Sequence, residues 1–89
     1  MQQAHIFISG FVQGIGFRYF VKNNARQLDL TGWVRNTPDN KVEAVFQGEK
    51  AVIDQMVLLC RKGTFLAEVK DIKINLEETD RKFTEFLIQ

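Results

Sequence analysis

Apolar residues alternate with polar ones along some stretches of this chain and recur every three or four residues along others. From Ala4 to Val12, Ile6 and Ile8 share one phase while Phe7 and Phe11 take the other. That pattern predicts a strand apolar on much of both faces, and therefore central in a sheet. Phe17, Phe20, Val21, Ala25 and Leu28 form the stripe of an amphipathic helix, with Arg18, Lys22 and Arg26 on an adjoining polar line. Thr31 to Thr37, carrying Trp33 and Val34, reads as a second strand. Pro38-Asp39-Asn40 is a turn, because Pro presets one corner and Asp or Asn tolerates the next. Lys41 to Gln47 sets Val42, Ala44 and Phe46 against Glu43 and Val45, so the pair is an antiparallel hairpin. Lys50 to Lys62 returns to helical spacing through Val52, Ile53, Met56, Val57, Leu59 and Cys60. Arg61-Lys62 followed by Gly63 is a helix stop. Ile72, Ile74 and Leu76 then alternate with Lys73, Asn75 and Glu77. A polar turn from Glu78 to Arg81 leads to a last strand containing Phe83, Phe86 and Ile88.

The order strand, helix, strand, strand, helix, strand, strand implies an α+β sandwich of the split βαβ kind. Its antiparallel sheet carries both helices on one face, because right-handed crossovers place them there. The 89 residues fit one domain spanning 1–89. Eight Phe residues supply large buried area to a small core.

Charge narrows the function classes. Twelve basic and eleven acidic residues leave a net charge of +1 with no long run of one sign. A nucleic-acid or anionic-membrane binder would carry a basic excess or cluster. Cys60 is the only cysteine and His5 the only histidine, so no internal disulfide forms and a structural zinc site lacks ligands. No leader-like or bilayer-spanning apolar run follows Met1, which places the expected location in the cytoplasm.

One segment is chemically distinctive. Gly10-Phe11-Val12-Gln13-Gly14-Ile15-Gly16-Phe17-Arg18 joins a strand to a helix. The N–H groups of a first helical turn have no intrahelical partner, and the helix dipole adds partial positive charge there. Glycines just upstream let further N–H groups form a concave anion nest. Arg18 falls in that first turn, where its planar fork can grip two phosphate oxygens. The same features describe an ordinary bend with a solvated arginine, and residue chemistry alone does not separate the two. The segment is neither a P-loop nor a dinucleotide fingerprint, since it lacks Gly-Lys-Ser/Thr and a third glycine.

Val12-Gln13-Gly14-Ile15-Gly16-Phe17-Arg18 resembles the acylphosphatase signature V-Q-G-V-x-F-R, with Ile15 in place of the second Val. After thirteen intervening residues, Gly32-Trp33-Val34-Arg35-Asn36 resembles that family's second signature, G-W-V-x-N. Ala67-x-Val69-x-x-Ile72 and Phe86-x-Ile88 are similar to its weaker C-terminal pattern. Three positions depart from it: Asp29 and Asn40 stand where glycine is usual, and Thr64 where proline is. They bear on local turn geometry and stability more than on activity.

The resemblance implies a ferredoxin-like fold and a cofactor-free, metal-free hydrolase acting on a small acyl phosphate. Arg18 would bind the phosphate, Asn36 would orient the attacking water, and backbone N–H groups of Gln13, Gly14, Ile15, Gly16 and Phe17 would complete the cradle. The chain is also expected to be a free-standing cytoplasmic monomer with no nucleic-acid or membrane partner. Three alternatives share the fold. A nucleic-acid module would stack bases on aromatics of the third strand, which offers only Phe46. An anion-binding domain would bind phosphate without turnover. An acylphosphatase-like module would serve a larger carbamoyl-transfer protein. Arg35 is expected on the opposite face from Asn36 as a solvated charge, since strand side chains alternate. His5 is expected to be a plain strand residue and Cys60 a small core residue. Trp33 and Tyr19 are expected to serve core packing or edge cover rather than to stack a ligand, and Glu77, Glu78 and Asp80 to be solvated.

Overall fold

The computed structural model describes residues 1–89. The elements are β1 (Gln2–Phe11), α1 (Phe17–Gln27), β2 (Thr31–Asn36), β3 (Val42–Gln47), α2 (Lys50–Lys62), β4 (Glu68–Glu78) and β5 (Phe86–Ile88). They form one five-stranded sheet in the order β4-β1-β3-β2-β5. α1 lies over β2 and β5, and α2 over β4 and β1. The predicted layers are therefore present, with β3 rather than β1 in the middle of the sheet. β3 is buried at every position, whereas β1 buries one phase and leaves Phe11 60% exposed.

Alternation sorts each strand into a helix face and an open face. Ala4, Ile6 and Ile8 of β1, Val34 of β2, Val42, Ala44 and Phe46 of β3, and Ile72 of β4 point to the helices. They meet Phe17, Val21 and Ala25 of α1 and Ile53, Met56 and Cys60 of α2. Burial pushes the Cys60 thiol up to about 12, in keeping with a core role.

The sheet is mixed rather than wholly antiparallel, because β5 pairs with β2 in parallel. The reason is topological. β4 is antiparallel to β1, β1 to β3, and β3 to β2, so β2 runs opposite to β4. Residues 79–85 cross from one edge of the sheet to the other at the end where β4 leaves it. The chain must then enter β5 heading the same way as β2. Phe83, expected in this strand, lies in the crossing instead. Buried Gln47 anchors that crossing. Its Nε2 donates to Arg81 O at 2.7 Å and to Gln3 Oε1 at 3.0 Å, and its Oε1 accepts from Phe83 N–H at 3.0 Å.

Gly32 shows why a side chain is excluded near the start of β2. It pairs with Phe46 on one side and Phe86 on the other. Those two rings stack across it, 5.5 Å between centroids and 16° between planes. Neighbouring strands stand about 4.8 Å apart, so side chains two strands apart meet only when the strand between them offers none. Gly32 holds φ 136°, and a Cβ there would lie 1.9 Å from Val45 O.

At the end of α1, Leu30 N–H donates to Ala25 O and Asp29 N–H to Arg26 O. These are the two bonds of a Schellman cap, whose central residue is left-handed. Asp29 occupies it at φ 58°, and Asn40 is left-handed at φ 68° in the β2–β3 turn. Both departures from glycine thus keep glycine's backbone geometry. Asp29 also sets a negative charge at the negative end of the helix dipole.

On the open face, Arg35 is paired rather than simply solvated. Its Nε and Nη2 each lie 2.7 Å from Glu43 Oε1. His5 Nε2 lies 2.6 Å from Glu43 Oε2. Glu43 is only 6% exposed. Burial alone would raise its pKa, but the bonds from His5 and then Arg35 outweigh that and hold the carboxyl below its ordinary 4.5. The His5 ring sits 4.9 Å from Phe7 and 6.0 Å from Trp33. The open-face positions of β3 are Glu43, Val45 and Gln47, with no aromatic among them.

Gly32→Ala should cost about 3 kcal/mol through strain and the backbone clash. Asp29→Gly should gain about 1 kcal/mol by relieving the left-handed cap. Urea unfolding of both variants measures these. Because the folded pKa of Glu43 is depressed, its contribution to stability is present above 4.5 and lost as pH falls through the folded value. Urea midpoints between pH 7 and 3 should therefore fall less steeply for Glu43→Gln than for the wild type below that point; parallel curves would exclude this pair as an acid-labile element.

Candidate active site

β1 and β2 run in the same direction on either side of β3, so their C-terminal ends share one rim of the sheet. Val42, the first residue of β3, pairs with Ile8 on one side and Asn36 on the other. Two strand spacings amount to roughly 10 Å, a gap the loop after β1 can bridge. Asn36 shares its phase with Val34 and so faces the helix layer, where α1 begins.

Gly14 at φ 76° and Gly16 at φ 78° put the loop into left-handed turns that disfavour a Cβ. Gly16 is also the N-cap of α1, and no side chain caps that helix. The N–H groups of Gln13 to Phe17 take no backbone acceptor, so they remain available to an anion. Phe17 fixes the start of the helix by burying its ring against Phe20, 5.7 Å away.

Val12, Gly14, Gly16, Phe17, Arg18, Tyr19 and Asn36 line one cavity of about 240 Å³. The structure thus brings Arg18 and Asn36, eighteen residues apart in sequence, to a common wall with both glycines. Gln13 and Ile15 do not line it. Ile15 packs against the core, and the Gln13 side chain reaches across to the hairpin. Tyr19 also lines the cavity but is exposed rather than packed in the core, with Lys22 Nζ 5.1 Å from its ring centre.

Two features mark the cavity as unfinished. Asn36 Oδ1 is buried without a hydrogen-bond partner. An unmatched buried acceptor costs about 1–3 kcal/mol, so a ligand or water that donates to it is favoured. Thr64 Oγ1 is also buried and unpaired, lines no cavity, and nothing in the structure explains it. The second feature is Arg18. Arg26 gives two hydrogen bonds to Phe86 O, and Arg35 is paired with Glu43. Arg18 has only a 3.5 Å contact to Gln89 O, too long to occupy its fork. No helix in the structure is long and apolar enough to cross a membrane.

Known proteins share this chain's sequence pattern and fold. The family model described as Acylphosphatase matches residues 4–88. An acylphosphatase of Nostoc sp. is 49% identical over 78 residues, covering 88% of this chain and 77% of that one. One of Syntrophobacter fumaroxidans is 40% identical over 98% of this chain and 90% of its own. The crystal structure of acylphosphatase from Bacillus subtilis superposes with TM-score 0.97 at 34% identity, covering 100% of this chain and 99% of that chain. The fold recurs as 12% of the length of HypF from T. kodakarensis, with TM-score 0.87 at 30% identity over 100% of this chain. The chain belongs to the acylphosphatase family and is an enzyme that hydrolyses acyl phosphates.

Proposed function

We propose that the cavity between the 12–17 loop and Asn36 is where this hydrolysis occurs, with Arg18 and Asn36 as its catalytic residues. The observation that carries the reading is the orphaned Asn36 Oδ1 on a wall shared with an uncommitted arginine and free loop N–H groups.

The phosphate of the substrate occupies the loop, held by the N–H groups of Gln13, Gly14, Ile15, Gly16 and Phe17 and by the fork of Arg18. In-line attack by water on phosphorus forms a new P–O bond as the bond to the acyl oxygen breaks. Charge builds on the three equatorial oxygens, where fixed N–H dipoles and a guanidinium stabilise it most. The leaving group is a carboxylate with a conjugate-acid pKa of about 4, so it departs without a general acid. Asn36 cannot take a proton at neutral pH, and its amide serves to hold the water in line. The water proton passes to a phosphate oxygen, giving inorganic phosphate and the carboxylate.

Hydrolysis of acetyl or benzoyl phosphate should persist in excess chelator. Arg18→Ala should lower kcat by about 10³-fold or more and Asn36→Ala by about 10²–10³-fold, with unchanged circular dichroism. A simple alkyl phosphate monoester, with its strongly basic leaving group, should turn over far more slowly than either acyl phosphate. Wild-type turnover in the Asn36 variant would remove it from the chemistry. Equal rates on the monoester would mean an unidentified general acid acts in the cavity.

A further inference from the structure

The two halves of the cavity come from separate parts of the chain, and one side chain joins them. Gln13 Nε2 donates to Thr37 O at 2.9 Å and to Lys41 O at 2.8 Å. A side-chain amide has two N–H donors, and both are used. Thr37 directly follows Asn36, and Lys41 directly precedes Val42. Thr37 N–H also donates to Lys41 O at 2.9 Å, so Gln13 grips the mouth of the hairpin turn where its strands meet. Among side chains of the 12–17 loop, only Gln13 forms a hydrogen bond outside the loop. Gly14 and Gly16 have no side chain to do so, and Ile15 contributes only packing.

We propose that Gln13 is a positioning residue for the hydrolysis: its side-chain amide ties the phosphate loop to the β2–β3 hairpin and so sets the distance between the cradle and the Asn36 amide. This deepens the assignment of Arg18 and Asn36 above and rests on it. The physical basis is the steep dependence of reaction rate on alignment, where a displacement near 1 Å can cost about 10²-fold. Loop N–H groups bind phosphate wherever the loop sits, but water on Asn36 attacks in line only when loop and hairpin keep their spacing. Losing the tether should therefore damage turnover more than phosphate affinity.

The test uses Gln13→Leu, Asn36→Ala and the double variant, with acetyl phosphate as substrate and inorganic phosphate as competitive inhibitor. Thr37 O and Lys41 O keep their hairpin donors Asn40 N–H and Thr37 N–H when Gln13 is lost, so the fold is not left with orphaned carbonyls. Gln13→Leu should lower kcat by about 10–100-fold while the inhibition constant for phosphate shifts by less than about threefold. In the Asn36→Ala background the same change should have little further effect on kcat, because no aligned amide remains to be displaced. Gln13→Glu supplies a second readout. Its carboxylate would face two carbonyl oxygens at neutral pH, whereas the protonated acid could donate to one. Its kcat relative to wild type should therefore rise as pH falls from 7 towards 5. Full multiplication of the two single effects, or loss of phosphate affinity equal to the loss of kcat, would overturn the proposal. Wild-type kcat in Gln13→Leu beside a disabled Asn36→Ala would overturn it alone, whereas wild-type kcat in Asn36→Ala would overturn the underlying site assignment as well. If Gln13→Leu fails to fold, the pH profile of Gln13→Glu decides, and a profile parallel to wild type would refute the tether.

Discussion

Val42 stands in register between both of its neighbours, opposite Ile8 on one side and Asn36 on the other, and the rest of the candidate site depends on that double register. β3 acts as the spacer between the strand that feeds the loop and the strand that ends in Asn36. Register in a sheet is specified in steps of two residues, because a slip of one would turn every core side chain outward. The burial of Val42, Ala44 and Phe46 on the helix face therefore also fixes where Asn36 stands. In the proposed mechanism, the place of Asn36 near the phosphate is in this sense a by-product of core packing, refined by the Gln13 contact across the rim.

Buried polar groups in this protein divide by whether they are matched. Gln47 uses its side-chain donor and acceptor to hold the crossing between β4 and β5. Glu43 shares its two oxygens between His5 and Arg35. Such satisfied groups tie strands together and leave nothing for a ligand. Asn36 is different, because its oxygen is buried, unpaired and borders a cavity. The half-free state of Arg18 has the same meaning. Stability is built where polar partners are complete, and the proposed chemistry falls where they are held in place but incomplete.

Element types were legible from periodicity because one face of each element is buried. α2 ends where Gly63 ends it, and the hairpin turns where Pro38-Asp39-Asn40 turns it. The glycines of the loop and Arg18 stood out from residue chemistry, while Asn36 carried no signal beyond its place in a short motif. Gln13 was legible as a loop residue but not as a tether. Glu43 looked like the polar phase of an alternating strand, and Gln47 like its end. Their partners lie from 8 to 44 residues away, and no local pattern encodes such a meeting. Arg35 was expected in water for the same reason.

By itself the sequence determined what each segment could become and which residues could hold a phosphate, since these follow from side-chain period, backbone freedom and donor chemistry within a few neighbouring residues. The tertiary structure alone decided that β5 runs parallel to β2, that Phe46 and Phe86 meet over Gly32, and that Gln13 reaches the hairpin. Those outcomes depend on which strands lie side by side and at which rim the chain re-enters the sheet, and distances of that kind exist only after the layers have packed.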